Sequence, residues 1–446
     1  MTMQADGTVA AVGIPPREAM PTAFVKAQWR LLPFLILIYA LGYIDRVNVS
    51  YAQLAMGEKL GFSDAMYGFG AGILFVGYFL FEIPCNMYLA RKGARWTLAL
   101  IMVLWGIAST LTAFIRTPVE FYIIRFLVGA FEAGIYPGIV LYLSLWFPAA
   151  YRGRILSFLL IAMLLGSSVT GPLSGWILQN WDDVGGLANW QWLFIIEGFP
   201  SVIFGVVTYY VLIDRPADAP WLTDAEKRVI AEELHADELR KPVQATSHWD
   251  AVKDPKNYLL AFGLFSVLCG YYAITFWLPT IIRDNGIANL FNLGLLAVIP
   301  NVLAGIAMIA NARHSDRTME RGWHFSIPLL IAAVGLTFAV VQQTYLTLSL
   351  IALSVALAGI MSCFPTFWAI ATAYLPARSA AFGIAFINSI AATGGFVSPY
   401  TVGLIRGETG SMLLSFTPTI ILMVASAAVM LWCIPAEILR RPSAPK

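Results

Sequence analysis

Twelve apolar stretches of about 20 residues, separated by short polar links, leave this chain few ways to fold. They fall at 30–54, 66–88, 96–115, 118–143, 154–178, 190–213, 258–282, 290–311, 323–342, 345–374, 379–405 and 411–434. A helix needs about 20 residues to cross some 30 Å of hydrocarbon. Lipid offers nothing to an open backbone group, so each stretch has to bond within itself, as a helix does. A barrel would instead show alternating strands of about 10 residues. Only 12% of the residues are charged, against about 25% in soluble domains. The expected fold class is an all-α membrane protein with twelve transmembrane helices in two six-helix, pseudo-symmetric bundles.

Basic residues set the orientation. Of 28 Lys and Arg, 22 fall in the segments on the side shared by both chain ends. Four fall on the other side (Lys59, Arg116, Arg283, Arg406), and Arg46 and Arg125 lie inside spans. The positive-inside rule therefore puts both termini in the cytosol. Residues 1–28 are polar, contain Pro15, Pro16 and Pro21, and lack the apolar core of a secretory signal. They read as a cytosolic tail. The remaining divisions are 29–213 and 257–435 for the bundles, 214–256 for a cytosolic linker and 436–446 for a second tail. Within the linker, Thr223-Asp224-Ala225-Glu226 is a capping box that opens a short charged helix through about Arg240. Cys85, Cys269, Cys363 and Cys433 all fall in apolar runs without metal-ligand spacing, so they read as small buried hydrophobes. No nucleophile–base pair or metal cluster is evident, and neither an enzyme, a cofactor nor a nucleic-acid partner is expected.

Charge inside the spans is the functional clue, because a charged side chain at a helix centre in the bilayer costs about 2.5–3.5 kcal/mol. Asp45 and Arg46 are adjacent in the first span, and Arg125 and Glu132 share the fourth. Tyr43, Arg46 and Ser50 are spaced to share one helical face, with Asp45 turned about 100° away. Arg125, Gly129, Glu132 and Tyr136 share another. Helical rise puts Arg46 and Arg125 at similar depth and Glu132 about 10 Å deeper, which predicts an Asp45–Arg125 pair with Arg46 facing a cavity. Arg46 offers a planar fork matched to a carboxylate. Asp45 and Glu132 are carboxyls whose protonation burial and arginine push in opposite directions. A quartet that merely fixes helix packing is the blander alternative, but intramembrane charge more often marks a pathway.

Glu82 and Glu197 read as structural, and the four histidines fall in loops, away from any relay. In the second half the candidate cavity groups are Tyr271, Tyr272, Trp277, Phe364, Phe367, Trp368, Thr372, Asn388 and Ser389. An aromatic stripe such as Phe364 and Trp368 is more often packing than a binding wall. Gly68, Gly70 and Gly72 follow no strand, which excludes a nucleotide loop.

Several motifs in order carry a resemblance. They are Tyr43-Ile44-Asp45-Arg46-Val47-Asn48, Phe81-Glu82-Ile83-Pro84-Cys85-Asn86, Arg91-Lys92-Gly93-Ala94-Arg95, and Arg125-Phe126 with Glu132-Ala133-Gly134 and Pro137-Gly138. Trp192-Leu193-Phe194 with Glu197-Gly198, Phe367-Trp368, and Ile387-Asn388-Ser389 with Gly394-Gly395-Phe396 and Pro399-Tyr400 follow. Together they resemble the major facilitator superfamily, and within it the anion:cation symporter family of bacterial organic-acid permeases. The resemblance spans about 30–435. It implies proton sites at Asp45 and Glu132 and a substrate-anion site at Arg46, with Tyr43, Tyr78, Arg125, Trp368 and Asn388 around it. Glu82, Arg91, Arg95, Asp316 and Arg317 take gating or structural positions. The 2–3 loop departs from the family pattern at Asn86 and Ala90, whereas Asp316-Arg317 is closer to it. The function implied is import of an organic anion, an aromatic or hydroxy carboxylate, with protons across a bacterial inner membrane by a monomer. An anion or organophosphate antiporter is the nearest alternative, and a non-transporting receptor a more distant one.

Overall fold

Every one of these stretches is helical in the computed structural model, which describes residues 20–239, 252–342, 345–375, 380–434 and 439. Most of the N-terminal tail, linker residues 240–251 with His248, Arg378 and the last residues lie outside that description. The helices are α1 (Thr22–Val47), α2 (Val49–Leu60), α3 (Asp64–Lys92), α4 (Ala94–Leu111), α5 (Pro118–Glu132), α6 (Ile135–Ser144), α7 (Ala149–Asn180) and α8 (Asn189–Val211). After the linker helix α9 (Asp224–Leu239) come α10 (Pro255–Asp284), α11 (Leu290–Thr318), α12 (Gly322–Val341), α13 (Leu346–Tyr374), α14 (Ala380–Ala392), α15 (Gly394–Thr409) and α16 (Met412–Trp432). Eleven helical segments among the described residues are long and apolar enough to cross a membrane. The 32-residue α7 takes the fifth place in the series. Large apolar side chains such as Ile83, Val334 and Trp432 are more than two-thirds exposed, a surface that only lipid suits.

Three spans lose the regular helical hydrogen-bond ladder locally while their backbone stays right-handed helical. The first divides at Asn48 (α1/α2), the fourth at Ala133-Gly134 (α5/α6) and the eleventh at Thr393 (α14/α15). Two of these breaks directly follow the buried charges of the sequence. Broken helices at mid-depth are tolerated where they line a protein-enclosed site.

Helices α1–α8 form one bundle and α10–α16 the other, joined by α3 against α15, α7 against α11 and α2 against α10. Small residues let the backbones meet: a Cβ on Gly171 would come within 2.5 Å of the Gly294 carbonyl oxygen, and one on Gly68 would strike Pro399. These seams lie at the helix ends remote from Thr22 and Trp432, called here the far face. Polar ties reinforce them there. Arg406 on α15 meets Asp64 on α3 at 3.3 Å, and Gln179 accepts from the Leu290 N–H at 2.9 Å. Arg283 donates to the Leu54 carbonyl at 2.5 Å, and the Tyr67 hydroxyl donates to the Phe276 carbonyl at 2.7 Å. On the opposite, terminal face no hydrogen bond or ion pair joins the bundles among the described residues. The molecule is shut at the far face and unlatched at the terminal one.

The capping box forms as expected: Glu226 accepts from the Thr223 N–H at 2.8 Å, and Thr223 Oγ1 accepts from the Glu226 N–H at 3.3 Å. That backbone bond, then Lys26 at 3.0 Å, holds the Glu226 carboxyl below its ordinary pKa. Helix α9 is thereby fastened to α1. Other expectations need correction. Cys433 is exposed just past the C-terminal end of α16, and Cys85 is only half-buried on α3, beside Ala130 and Gly134. His235, His314 and His324 are on helices rather than in loops, and His314 and His324 meet at 2.6 Å beside Glu320. Arg95 binds within its own bundle, through its N–H to Asp214 at 2.8 Å and its Nε to the Tyr209 carbonyl. Asp316 pairs with Arg321 at 2.7 Å, leaving Arg91 and Arg317 exposed.

A Cβ placed on Gly407 would lie 3.8 Å from the Ala65 Cβ across the far-face seam, a separation that suits a disulfide. Ala65→Cys with Gly407→Cys should therefore crosslink under mild oxidation, trapping the closed far face until reductant is added. Gel mobility after cleavage between the bundles reads the crosslink.

Candidate functional site

The first span is helical because Leu, Ile, Ala and Phe dominate it up to Tyr43, and it gives way where polar side chains compete for its backbone. Arg125, buried on α5, donates to the carbonyls of Asp45 at 3.5 Å and Arg46 at 3.3 Å. The Ser50 hydroxyl takes the Val47 carbonyl at 2.7 Å. A side chain inserted into the ladder in this way is a recognised cause of a helix break. Arg125 is thus directed at backbone, and no carboxylate lies within ion-pair reach of it among the described residues. The expected Asp45–Arg125 pair does not form.

The pair that does form is Arg46–Glu132, Nη2 to Oε1 at 2.6 Å, with both side chains almost fully buried. It bridges the break of the first span to that of the fourth. The Tyr43, Tyr78 and Phe75 rings lie 5.1, 5.5 and 5.9 Å from the guanidinium carbon, within cation–π range. The Tyr272 ring of the second bundle packs tilted against Phe75, centroids 4.4 Å apart. Arg46 therefore does not sit open to a cavity. It is boxed by aromatic rings with Glu132 as its counter-ion. One atom of each partner is unused: Arg46 Nε and Glu132 Oε2 bond to nothing within reach among the described residues. Tyr39 and Tyr136 stand toward the terminal face, Tyr136 being 38% exposed, and mark the way out.

Asp45 turns away, as its helical position requires. It accepts from Trp105 Nε1 at 2.7 Å, Ser109 Oγ at 2.6 Å and Ser201 Oγ at 2.7 Å. That cluster ties α1 to α4 and α8. Trp105 and Ser109, one helical turn apart on α4, carried a signal that was there to be read; Ser201 carried none. Glu197, read from the sequence as structural, is buried on α8 and accepts from Ser174 on α7 at 2.7 Å. Glu82 is half-buried on the face of α3 that carries Phe75 and Tyr78. In the second bundle Trp368 is half-buried against the fully buried Phe367, and Phe364 meets Tyr271 edge-on. Asn388, half-buried ahead of the α14/α15 break, makes no hydrogen bond among the described residues. No contact brings Trp368 or Asn388 to Arg46.

The sequence profile of the Major Facilitator Superfamily matches residues 35–399, most of the chain. The chain belongs to that superfamily. Its place there makes it a multi-pass transport protein rather than an enzyme. It is similar to a Pseudomonas putida protein provisionally named as the metabolite transport protein NicT, 40% identical over 87% of this chain and 89% of the other. An Agrobacterium vitis protein provisionally named as a tartrate transporter is 42% identical over 91% and 93%. The inner membrane transport protein RhmT of Escherichia coli is 32% identical over 84% and 86%. Among solved structures, an inward-facing bacterial homologue of the human lysosomal transporter Spinster superposes with a TM-score of 0.76 at 16% identity, covering 93% of this chain and 98% of the other. A D-xylose–proton symporter gives 0.72 at 16% identity, covering 91% and 98%. At such identity the agreement is one of fold.

The donor set around Asp45 in this facilitator makes a clear stability prediction. Asp45→Asn keeps a carbonyl oxygen for Trp105 and Ser201 and offers its amide to the rotatable Ser109 hydroxyl, so its melting temperature should stay near wild type. Asp45→Leu strands three buried donors at about 1–3 kcal/mol each and should melt many degrees lower. Intrinsic tryptophan fluorescence during heating separates the two.

Proposed function

We propose that this chain imports an organic anion together with protons across a bacterial cytoplasmic membrane, with both chain ends in the cytosol. The observation that carries this reading is the buried Arg46–Glu132 pair, which joins two interrupted helices at mid-depth, between a latched far face and an unlatched terminal one. Removing one charge of such a pair leaves the other uncompensated at about 3–5 kcal/mol. A proton on Glu132 does this to Arg46, and an arriving carboxylate restores the balance. Proton and anion therefore favour each other's binding, which is what coupling means thermodynamically. The provisional naming of relatives as tartrate and metabolite transporters supports an organic acid as cargo.

Asp45 fits a second proton site. Its two serine partners can donate or accept, so the cluster keeps its shape in either protonation state while only Trp105 must face an acceptor. Arg125 serves the site by holding the helix break open, and Tyr43 and Tyr78 by walling the guanidinium. Trp368 and Asn388 belong to the opposing wall, which closes on the substrate as the bundles rock. With the chain ends cytosolic, the unlatched terminal face is the inward mouth, and the Arg406–Asp64 tie is part of the outer gate.

Uptake into proteoliposomes under an imposed pH gradient tests this. Arg46→Ala should abolish anion binding. Glu132→Gln, a permanent mimic of the protonated acid, should lose pH-driven accumulation yet retain anion exchange. Normal pH-driven uptake by Glu132→Gln would overturn the assignment.

A further inference from the structure

Resting on the transport reading above, we propose that the site accepts one negative charge: its cargo is a monovalent carboxylate with an uncharged body, and a dicarboxylate enters only once its second carboxyl is protonated. The inventory of buried cations carries this. Among the described residues only Arg46 and Arg125 are buried bases. Arg125 already faces the backbone carbonyls of Asp45 and Arg46 and is 1% exposed. It is structurally committed. One guanidinium remains, and its compensation by Glu132 shows that it balances a single carboxylate.

Away from the helix ends, the described residues of the second bundle offer no other cation. Residues 257–282 of α10, all of α13 and residues 380–405 of α14 and α15 contain no Lys, Arg, Asp or Glu. What α10 and α13 present is aromatic instead: Tyr272 over Phe75, and Tyr271 edge-on to Phe364. A second carboxylate held there would be an unpaired charge in a poorly solvated wall, which is strongly disfavoured. Glu82 adds repulsion. It shares the face of α3 with Phe75 and Tyr78, one turn nearer the terminal face than Tyr78, so a dianion on that route passes a carboxyl that pairs with no base among the described residues. A flat or hydroxylated body with no charge of its own suits the same wall, since tyrosine rings supply both stacking faces and hydroxyls.

Matched acids separate charge from size. Benzoate, phthalate and 2-carbamoylbenzoate share a ring and differ in whether the second group is absent, charged or neutral. Tartrate and its monomethyl ester make the same comparison in an aliphatic series. Binding is read by thermal shift and by competition on purified wild-type protein at pH 7.5, with Arg46→Ala as the control. Within at least one series the neutralised acid should bind about 100-fold more tightly than the dianion, a ratio fitting one unpaired charge. Lowering the pH through the diacid's own second ionisation should narrow that gap. Dianions binding as tightly as their neutralised partners, in an Arg46-dependent way, would overturn the single-charge proposal and leave anion transport standing. No binding by any acid of either valence would instead overturn the anion reading beneath it.

Discussion

A guanidinium and a carboxylate 2.6 Å apart, far from water, are what the rest of this molecule is arranged around. Neither charge is tolerable alone in that place, and each sits at a point where its helix stops being continuous. The backbone of the first span yields at Asn48 because Arg125 and Ser50 occupy the carbonyls that a continuous helix would use. The fourth span yields directly after Glu132. Electrostatic need and helix discontinuity are thus met at one place. A change of charge at Glu132 is felt by two helices at once.

The surrounding structure divides into rigid and releasable parts. Asp45, with three neutral donors on α4 and α8, and Glu197, bonded to Ser174 on α7, hold the first bundle together from inside. Between bundles the contacts are of another kind. At the far face they are backbone-close seams at Gly68 and Gly171, backed by a few polar ties such as Arg406 to Asp64. At the terminal face such ties are lacking among the described residues. Polar clusters inside the first bundle, and inter-bundle ties concentrated at the far face, suit rocking of one bundle against the other about a mid-depth site.

Much of this was legible in the sequence. Hydropathy and length placed the spans, since lipid permits little else, and the scarcity of charge singled out Asp45, Arg46, Arg125 and Glu132. Their pairing was not legible. Depth along an ideal helix pointed to Asp45–Arg125, because that reckoning assumes an unbroken ladder, and the break at Asn48 redirects Arg125 to the backbone. The same assumption left Arg46 facing open space when it has a counter-ion and a box of aromatic rings. Partners of Asp45 on α8 could not be read because Ser201 is unremarkable in its own span.

The central claim is that a proton on Glu132 and an anion on Arg46 bind together, each favouring the other. Calorimetric titration of an aliphatic or aromatic monocarboxylate into the purified protein, repeated in buffers of different ionisation enthalpy, counts the protons that move with binding. Wild type should take up about one proton per anion bound near neutral pH, and Glu132→Gln should take up none while still binding. Binding without proton uptake in the wild type, or equal uptake in the variant, would contradict the account.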